Sequence, residues 1–177
     1  IFCCISTLLF YQFIVGILNI NQCIGWLLIL IIVTLILEYS LVCSVFPGSL
    51  SDNYGEFENR HSNEIILINT SQDKVIHGML VNKYKKPSYD DNIILFSHGN
   101  SCSISSVYYS HIVRQLSNFG SVFIYDYRGY GKDKSFPSEE KCYEDILSVW
   151  QYLTVIKKVP PSKITVVGHS LGCVISS

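Results

Sequence analysis

The chain has 177 residues, a formal net charge of −1 and a charged fraction of 15 %. These values exclude a disordered, highly charged tail and a basic nucleic-acid-binding protein, and the length allows one globular domain. The mean hydropathy of +0.31 is high for a soluble domain. Its cause is an uneven distribution of charge, because no Lys or Arg precedes Arg60. We therefore expect two regions, one apolar and one polar.

The apolar region comes first, since no charged residue lies between Ile1 and Leu37. This composition is typical of membrane-spanning helices, in which about 20 apolar residues cross a hydrocarbon layer of ~30 Å. Asn and Gln residues within 19–22 divide the stretch, so we predict a membrane anchor over 1–46 with two spans, 1–18 and 23–46. A single span with an apolar lead-in and a cleaved signal peptide are the alternatives.

The seven cysteines include no Cys-x-x-Cys pair and no Cys–His spacing typical of metal ligands. We therefore expect no metal and no disulfide framework. Unpaired thiols at Cys102, Cys142 and Cys173 favour a reducing, cytosolic location for the polar region. A glycosylation sequon at 69–71 would be used only on the lumenal side, so it tests this orientation. We expect an integral membrane protein whose polar region faces the cytosol.

The composition changes after residue 46, where Pro, Gly, Ser and Asp predict a flexible linker over 47–60 and a folded domain over 61–177. Four short β-branched or aromatic runs then recur: Ile65–Ile68, Ile93–Phe96, Val122–Tyr125 and Ile164–Val167. Such runs, bounded by turn residues, predict strands buried on both faces. An alternating stretch over 75–81 predicts an antiparallel hairpin with the first strand.

Helical spacing fills the segments between the later strands. The first segment predicts one helix, ended by Gly120, with the apolar residues Val107, Tyr108, Ile112, Leu116 and Phe119. In the second, Ser138 is the predicted N-cap and the inward face consists of Tyr143, Ile146, Leu147, Trp150 and Leu153. Alternating strands and helices predict an α/β fold with a mostly parallel sheet and helices on both faces. Functional loops in such sheets lie at the carboxyl ends of the strands.

Three such loops carry candidate chemistry: 97–100, 126–131 and 168–172. The third reads G-x-S-x-G directly after a strand. Glycines at the first and last positions permit the sharp strand-to-helix turn that lifts the central serine above a sheet. The backbone amide of Leu171 opens the next helix and would face a developing oxyanion. The motif therefore predicts Ser170 as a nucleophile.

Four segments, in this order and at these intervals, resemble the α/β-hydrolase superfamily, and closely its membrane-associated branch of abhydrolase-domain depalmitoylases and serine aminopeptidase-like hydrolases: Leu95–Asn100, Tyr125–Gly131, Pro137–Glu139 and Gly168–Gly172. The resemblance covers about 64–177. It implies Ser170 as nucleophile and the amides of Asn100 and Leu171 as oxyanion hole. It implies structural roles for His98, Gly99, Asp126, Arg128, Gly129, Gly168 and Gly172. By the same resemblance, neither His98 nor His169 is expected to act as the base.

The residues after Ser170 carry no Asp, Glu or His, although the acid and base of this superfamily follow the serine in the chain. We therefore expect an incomplete part of a longer, membrane-anchored serine hydrolase that cleaves an ester, thioester or amide acyl bond, with lipid-like substrates. An inactive membrane protein with a partial hydrolase fold and a peptidase for small peptides are the alternatives. No strand precedes a glycine-rich phosphate loop, so no cofactor and no nucleic-acid partner are expected.

Overall fold

The computed structural model describes residues 6–11, 20–45, 53–71 and 74–177. The chain divides into two compact units, which meet in the sequence between Val45 and Phe46. The first unit contains helix α1, Ile20–Val45. The second contains a five-stranded sheet with the remaining helices.

Helix α1 has 26 residues and a length of about 39 Å. Its segment Ile20–Leu41 has a mean hydropathy of 2.4 and is not buried, so by length and composition it is able to cross a membrane. It is the one such helix in the part of the chain that the structure describes. Of the first predicted span, residues 6–11 are helical, while 1–5 and 12–18 lie outside the described residues.

Helix α2, Tyr54–His61, occupies the second half of the segment predicted as a flexible linker. Tyr54 and Phe57 lie one helical turn apart and are both buried. The Tyr54 hydroxyl is 2.8 Å from His77 Nδ1, and the Phe57 ring lies 5.4 Å from the Tyr108 ring. The linker prediction is therefore wrong for 54–60, because two aromatic side chains bury themselves in the second unit. Residues 47–52 lie outside the described ones.

The sheet confirms the predicted α/β class. Its strands are β1 (Ile66–Asn69), β2 (Val75–Val81), β3 (Ile93–Ser97), β4 (Ser121–Tyr125) and β5 (Ile164–Gly168). The order is β1-β2-β4-β3-β5. β1 pairs antiparallel with β2, as the predicted hairpin requires, and β2 also pairs antiparallel with β4. β3 lies parallel to both β4 and β5.

Further helical segments lie around this sheet. Between β3 and β4 lie α3 (Ile104–Tyr108) and α4 (His111–Leu116), between β4 and β5 lies α5 (Glu139–Gln151) with a π-helical extension to Ile156, and after β5 comes α6 (Leu171–Ile175). A short 3₁₀ turn, Pro161–Lys163, precedes β5.

Burial follows position in the sheet. Every residue of β3 and β4 is buried, as predicted. β1 and β5 are partly exposed, with Leu67 at 64 % and Val166 at 40 %, so the prediction of two buried faces is wrong for them. In the described part of the chain these two strands form the edges of the sheet, where fewer neighbours cover their side chains.

The helix predicted between β3 and β4 is two helices. The chain turns at Ser110, whose hydroxyl accepts a hydrogen bond from the Val113 N–H and so begins a new helix. This second helix ends at Leu116, and Phe119 is 74 % exposed rather than inward.

Helix α5 begins as predicted, since the Ser138 hydroxyl accepts a hydrogen bond from the Lys141 N–H. Its inward face differs from the prediction. Leu147 is 60 % exposed, whereas Asp145 and Val149 are fully buried. The helix is turned in this way because Asp145 binds a buried arginine of the β4 loop.

Candidate active site

Ser170 lies at the turn between β5 and α6, with φ 53° and ψ −116°. Residues with a side chain rarely adopt positive φ, so the turn is strained. A Cβ atom on Gly168 would lie 2.5 Å from the Cys173 nitrogen, and one on Gly172 would lie 2.6 Å from the Ser97 carbonyl carbon. Neighbouring backbone thus requires glycine on both sides of an exposed serine.

The elbow, defined as residues 168–172, lies against the loop that follows β3. Ser97 pairs with Gly168 in the sheet, and the His169 N–H donates to the Ser97 carbonyl at 3.0 Å. A Cβ atom on Gly99 would lie 2.9 Å from Nδ1 of His169. The two segments that the sequence predicts to form one site are therefore in contact.

The two predicted oxyanion donors belong to the two segments in contact, Leu171 to the elbow and Asn100 to the loop after β3. Leu171 is the first residue of α6, where a backbone N–H has no partner within the helix. The Asn100 side chain is held in place, because its Oδ1 accepts hydrogen bonds from the Tyr130 hydroxyl at 2.8 Å and from the Ser101 N–H at 3.0 Å. Tyr130 is fully buried and was not among the predicted site residues.

His98 lies beneath the surface, with 1 % of the residue exposed. Its Nδ1 is 2.8 Å from the Gly99 carbonyl oxygen, and its ring centre lies 4.3 Å from that of Tyr127. The Tyr127 hydroxyl donates to the His98 carbonyl at 2.8 Å. A histidine enclosed in this way favours the structural role implied by the resemblance.

Asp126 joins the β4 loop to helix α3. Its Oδ1 accepts a hydrogen bond from the Ile104 N–H at 2.7 Å and lies 3.7 Å from His98 Nε2. Gly131 adopts φ 60°, and a Cβ atom there would lie 2.6 Å from the Asp126 Cγ. The carboxylate thus holds together the loops after β3 and β4, at the base of the candidate site.

Arg128 is buried and bound by carboxylates of α5. Its Nε donates to Asp145 Oδ1 and its backbone N–H to Oδ2, both at 2.7 Å, while Nη2 donates to Glu144 at 2.6 Å. Burial raises the pKa of Asp145 to about 6 against the opposing effect of Arg128. A guanidinium bound in this way favours the structural role that the resemblance implies for Arg128. Gly129, at φ 88°, packs on Pro137.

Asp145 was not among the predicted site residues. The available signal was its helical spacing from the apolar residues of the α5 pattern, but Asp145 directly follows Glu144, and acidic residues on a helix are most often solvated. In the part of the chain that the structure describes, no group of three or more His, Cys, Asp or Glu side chains is arranged to hold a metal ion.

Comparison with known proteins agrees with this geometry. The profile of the Alpha/beta hydrolase family matches residues 94–177, a range that contains the elbow between β5 and α6. Over these residues the chain matches the α/β-hydrolase superfamily. The resemblance found in the sequence is thereby confirmed at the level of the superfamily.

Two relatives are similar in sequence to part of this chain. The alpha/beta hydrolase domain-containing protein 17C of Mus musculus is 32 % identical over 111 residues, which cover 63 % of this chain and 34 % of that protein. The Xenopus tropicalis protein of the same name is 36 % identical over 81 residues, covering 46 % of this chain and 26 % of that protein. The chain therefore spans about a third or less of the length of these relatives.

Solved structures support the hydrolase fold. An esterase from Pyrococcus furiosus gives a TM-score of 0.52 at 19 % identity, covering 75 % of this chain and 49 % of that chain. An alpha-beta hydrolase from Vibrio vulnificus gives 0.60 at 18 % identity, covering 78 % and 50 %. At these identities the likeness concerns the fold alone.

Proposed function

We propose that this chain carries the nucleophile and oxyanion hole of a membrane-anchored serine hydrolase that cleaves an ester, thioester or amide acyl bond. The observation that carries the proposal is the backbone of Ser170, held at φ 53° and ψ −116° between glycines that cannot be replaced without a clash. Strain of this kind persists where surrounding structure maintains it, and a serine so placed between strand and helix is exposed for attack.

The proposed reaction passes through an acyl-enzyme. Ser170 Oγ attacks the acyl carbonyl carbon, and its proton passes through a general base to the departing alcohol, thiol or amine. The N–H groups of Leu171 and Asn100 donate to the oxyanion of the tetrahedral intermediate, and each such donor is worth about 3–4 kcal/mol of transition-state stabilisation. Water then attacks the acyl-serine and releases the carboxylic acid.

The acid and base are assigned to no residue of this chain. In α/β-hydrolases they follow the nucleophile, and residues 171–177 contain neither Asp, Glu nor His. His98 is enclosed by Tyr127, so we do not propose it as the base.

The membrane part of the proposal rests on α1. Its apolar segment Ile20–Leu41 is long enough to span the hydrocarbon layer, which makes lipid-linked acyl groups the natural substrate class and the bilayer a partner. Cys102, Cys142 and Cys173 are free thiols, which supports a reducing, cytosolic location for the hydrolase domain.

A fluorophosphonate probe tests the nucleophile, since it reacts with activated serines. We expect the protein expressed from its complete reading frame to be labelled at Ser170, with labelling abolished by Ser170→Ala and retained by Ser177→Ala, a matched change at an exposed serine. Absence of labelling in the folded protein would favour the inactive alternative. Hydrolysis of p-nitrophenyl octanoate, octanoyl-coenzyme A and alanine 4-nitroanilide then distinguishes esterase, thioesterase and peptidase activity.

Carbonate extraction and glycosylation test the anchor and its orientation. We expect the protein to remain in the membrane pellet and Leu30→Arg to weaken this retention, because an arginine at the centre of a span is costly. Asn69, exposed at the end of β1, should stay unglycosylated if the domain is cytosolic. A mass shift removed by Asn69→Gln would place it on the lumenal side instead.

A further inference from the structure

A second cavity, of about 370 Å³, lies away from the elbow and is lined by Lys83, Tyr109, Ser110, His111 and Arg114. Its position follows from strand direction. β2 runs antiparallel to β4 and Val81 pairs with Val122, so Lys83 lies near the amino end of β4. Ser170 follows the carboxyl end of β5, which runs in the direction of β4. The cavity and the elbow are therefore at opposite ends of the strands.

The side chains that line this cavity share one chemical property. All carry hydrogen-bond donors, three of them are basic and none is acidic. This bias does not come from the composition, since the formal net charge of the chain is −1. In the part of the chain that the structure describes, no carboxylate forms an ion pair with Lys83, His111 or Arg114. A basic lining that offers several donors and no carboxylate suits an anion with several acceptor oxygens.

Lys83 is held in position before any ligand binds. Its Nζ lies 3.1 Å from the centre of the Tyr108 ring and 5.8 Å from that of Tyr109. Asn82, the preceding residue, anchors the turn by donating to the Ser117 and Gly120 carbonyls at 3.4 and 3.0 Å. Fixing the ammonium in this way lowers the entropy lost when a ligand binds.

The charges around Lys83 act in both directions. Burial lowers the pKa of Lys83, the nearby carboxylate of Glu64 raises it, and the positive charge of Arg114 lowers it with a smaller effect. Glu64 is bound to His61 Nδ1 at 3.0 Å and does not line the cavity. An anion between Lys83 and Arg114 would relieve the repulsion between these two cations.

We propose that Lys83, His111 and Arg114 bind a phosphate group, as a monoester or diester, at a site separate from the acyl-transfer centre. Guanidinium and ammonium groups are the usual phosphate ligands in proteins, and the cavity has the size of a small-molecule site. The phosphate belongs either to a lipid headgroup or to a soluble compound, and both present the same oxygens. This inference goes beyond the proposed hydrolase activity and does not depend on it.

Calorimetry on the full chain in non-ionic detergent tests the proposal with three probes: inorganic phosphate, dihexanoyl phosphatidic acid and dihexanoyl phosphatidylcholine. We expect anionic probes to bind, with affinity falling as salt screens the charges, and the zwitterionic lipid to bind at least ten-fold more weakly. Arg114→Gln and Lys83→Gln should each lower the affinity about ten-fold, and Arg114→Lys should lose less. Lys74→Gln, an exposed lysine just before β2 begins, is the matched control.

The outcomes distinguish a lipid headgroup from a soluble phosphate compound, and they test the phosphate site independently of the proposed hydrolase activity. Equal binding of phosphate and phosphatidic acid supports a soluble ligand, and binding of phosphatidic acid alone supports a lipid headgroup. The proposal is overturned if neither anion binds at millimolar concentration, or if Lys74→Gln weakens binding as much as Arg114→Gln. Arg114 is exposed, so its variants should fold normally, and fluorophosphonate labelling of Ser170 in Arg114→Gln should be unchanged whatever the calorimetry gives.

Discussion

The loop after β4 and the elbow after β5 lie at the same end of the sheet, yet they are built differently. Asp126 and Arg128 in the β4 loop are buried; the Asp126 carboxylate accepts a hydrogen bond from the Ile104 N–H, and Arg128 donates several to α5. Ser170 in the elbow is exposed and strained. The elbow has little burial of its own, and it contacts the loop after β3. That loop is in turn bound by Tyr127 and Tyr130 of the enclosed β4 loop. The comparison teaches that a strained, exposed position is maintained by neighbouring loops whose own polar groups are enclosed.

The largest effect is expected where Arg128 of the β4 loop loses a charged partner on α5. Asp145→Ala leaves the buried Arg128 guanidinium with fewer partners, and breaking a buried pair from one side typically costs about 3–5 kcal/mol. We expect the free energy of unfolding to fall by this amount in urea titrations in detergent. Asp90→Ala, at an exposed carboxylate, is the control and should change stability by less than about 0.5 kcal/mol. Equal effects of the two changes would contradict the structural role of Arg128.

The elbow itself is broken by adding one carbon. Gly172→Ala would place a Cβ atom 2.6 Å from the Ser97 carbonyl carbon, so α6 must move away from β3. We expect a loss of about 1–3 kcal/mol of stability, together with loss of fluorophosphonate labelling. Gly55→Ala in α2, where no atom lies within 4 Å of the added carbon, should be neutral or slightly stabilising. A stable, fully labelled Gly172→Ala protein would refute the close packing of the elbow.

A smaller effect is expected where one hydrogen bond joins the β4 loop to the loop after β3, which contacts the elbow. Tyr130→Phe removes the donor to Asn100 Oδ1, which leaves the ring packed but the oxyanion loop less fixed. We expect stability to fall by about 1 kcal/mol and the labelling rate of Ser170 to fall several-fold. Tyr89→Phe, which removes a hydroxyl 3.3 Å from that of Tyr152, tests whether loss of any hydroxyl has this result. An unchanged labelling rate in Tyr130→Phe would mean that Asn100 is positioned by its backbone alone.

The reactivity of two cysteine thiols tests the difference between the buried β4 loop region and the exposed elbow region without any mutation. Burial raises the pKa of Cys142, in the packed region beneath the β4 loop, to about 12, so almost no thiolate exists at pH 8. Cys173, three residues after Ser170, is exposed. We expect iodoacetamide to modify Cys173 but not Cys142 in the native protein at pH 8, as measured by peptide mass spectrometry. Both should react in urea, and rapid native modification of Cys142 would contradict its burial.

Much of the fold could be predicted because the relevant signals are local. The runs that became β3 and β4 contain only residues that suit buried strands, and Ser138 followed by two glutamates marks the start of α5. The G-x-S-x-G motif locates the elbow because its glycines are needed by the turn itself. Each of these features depends on residues within a few positions of one another, so the sequence could indicate them without knowledge of the strand order.

What the sequence could not decide depended on contacts between distant segments. The Arg128–Asp145 pair turns α5 so that Leu147 faces outward, against its apolar pattern. Tyr54 and Phe57 find buried surfaces in the sheet unit, which converts a predicted linker into α2.

The sequence by itself determined the apolar first region, the α/β alternation and the position of Ser170, because composition, periodicity and turn chemistry act between neighbours in the chain. The tertiary structure alone decided which strands lie at the edge, which face of α5 points inward and which residues hold the Asn100 loop against the elbow. The physical reason is that burial and charge pairing depend on the strand order β1-β2-β4-β3-β5, which brings together residues that the sequence keeps far apart.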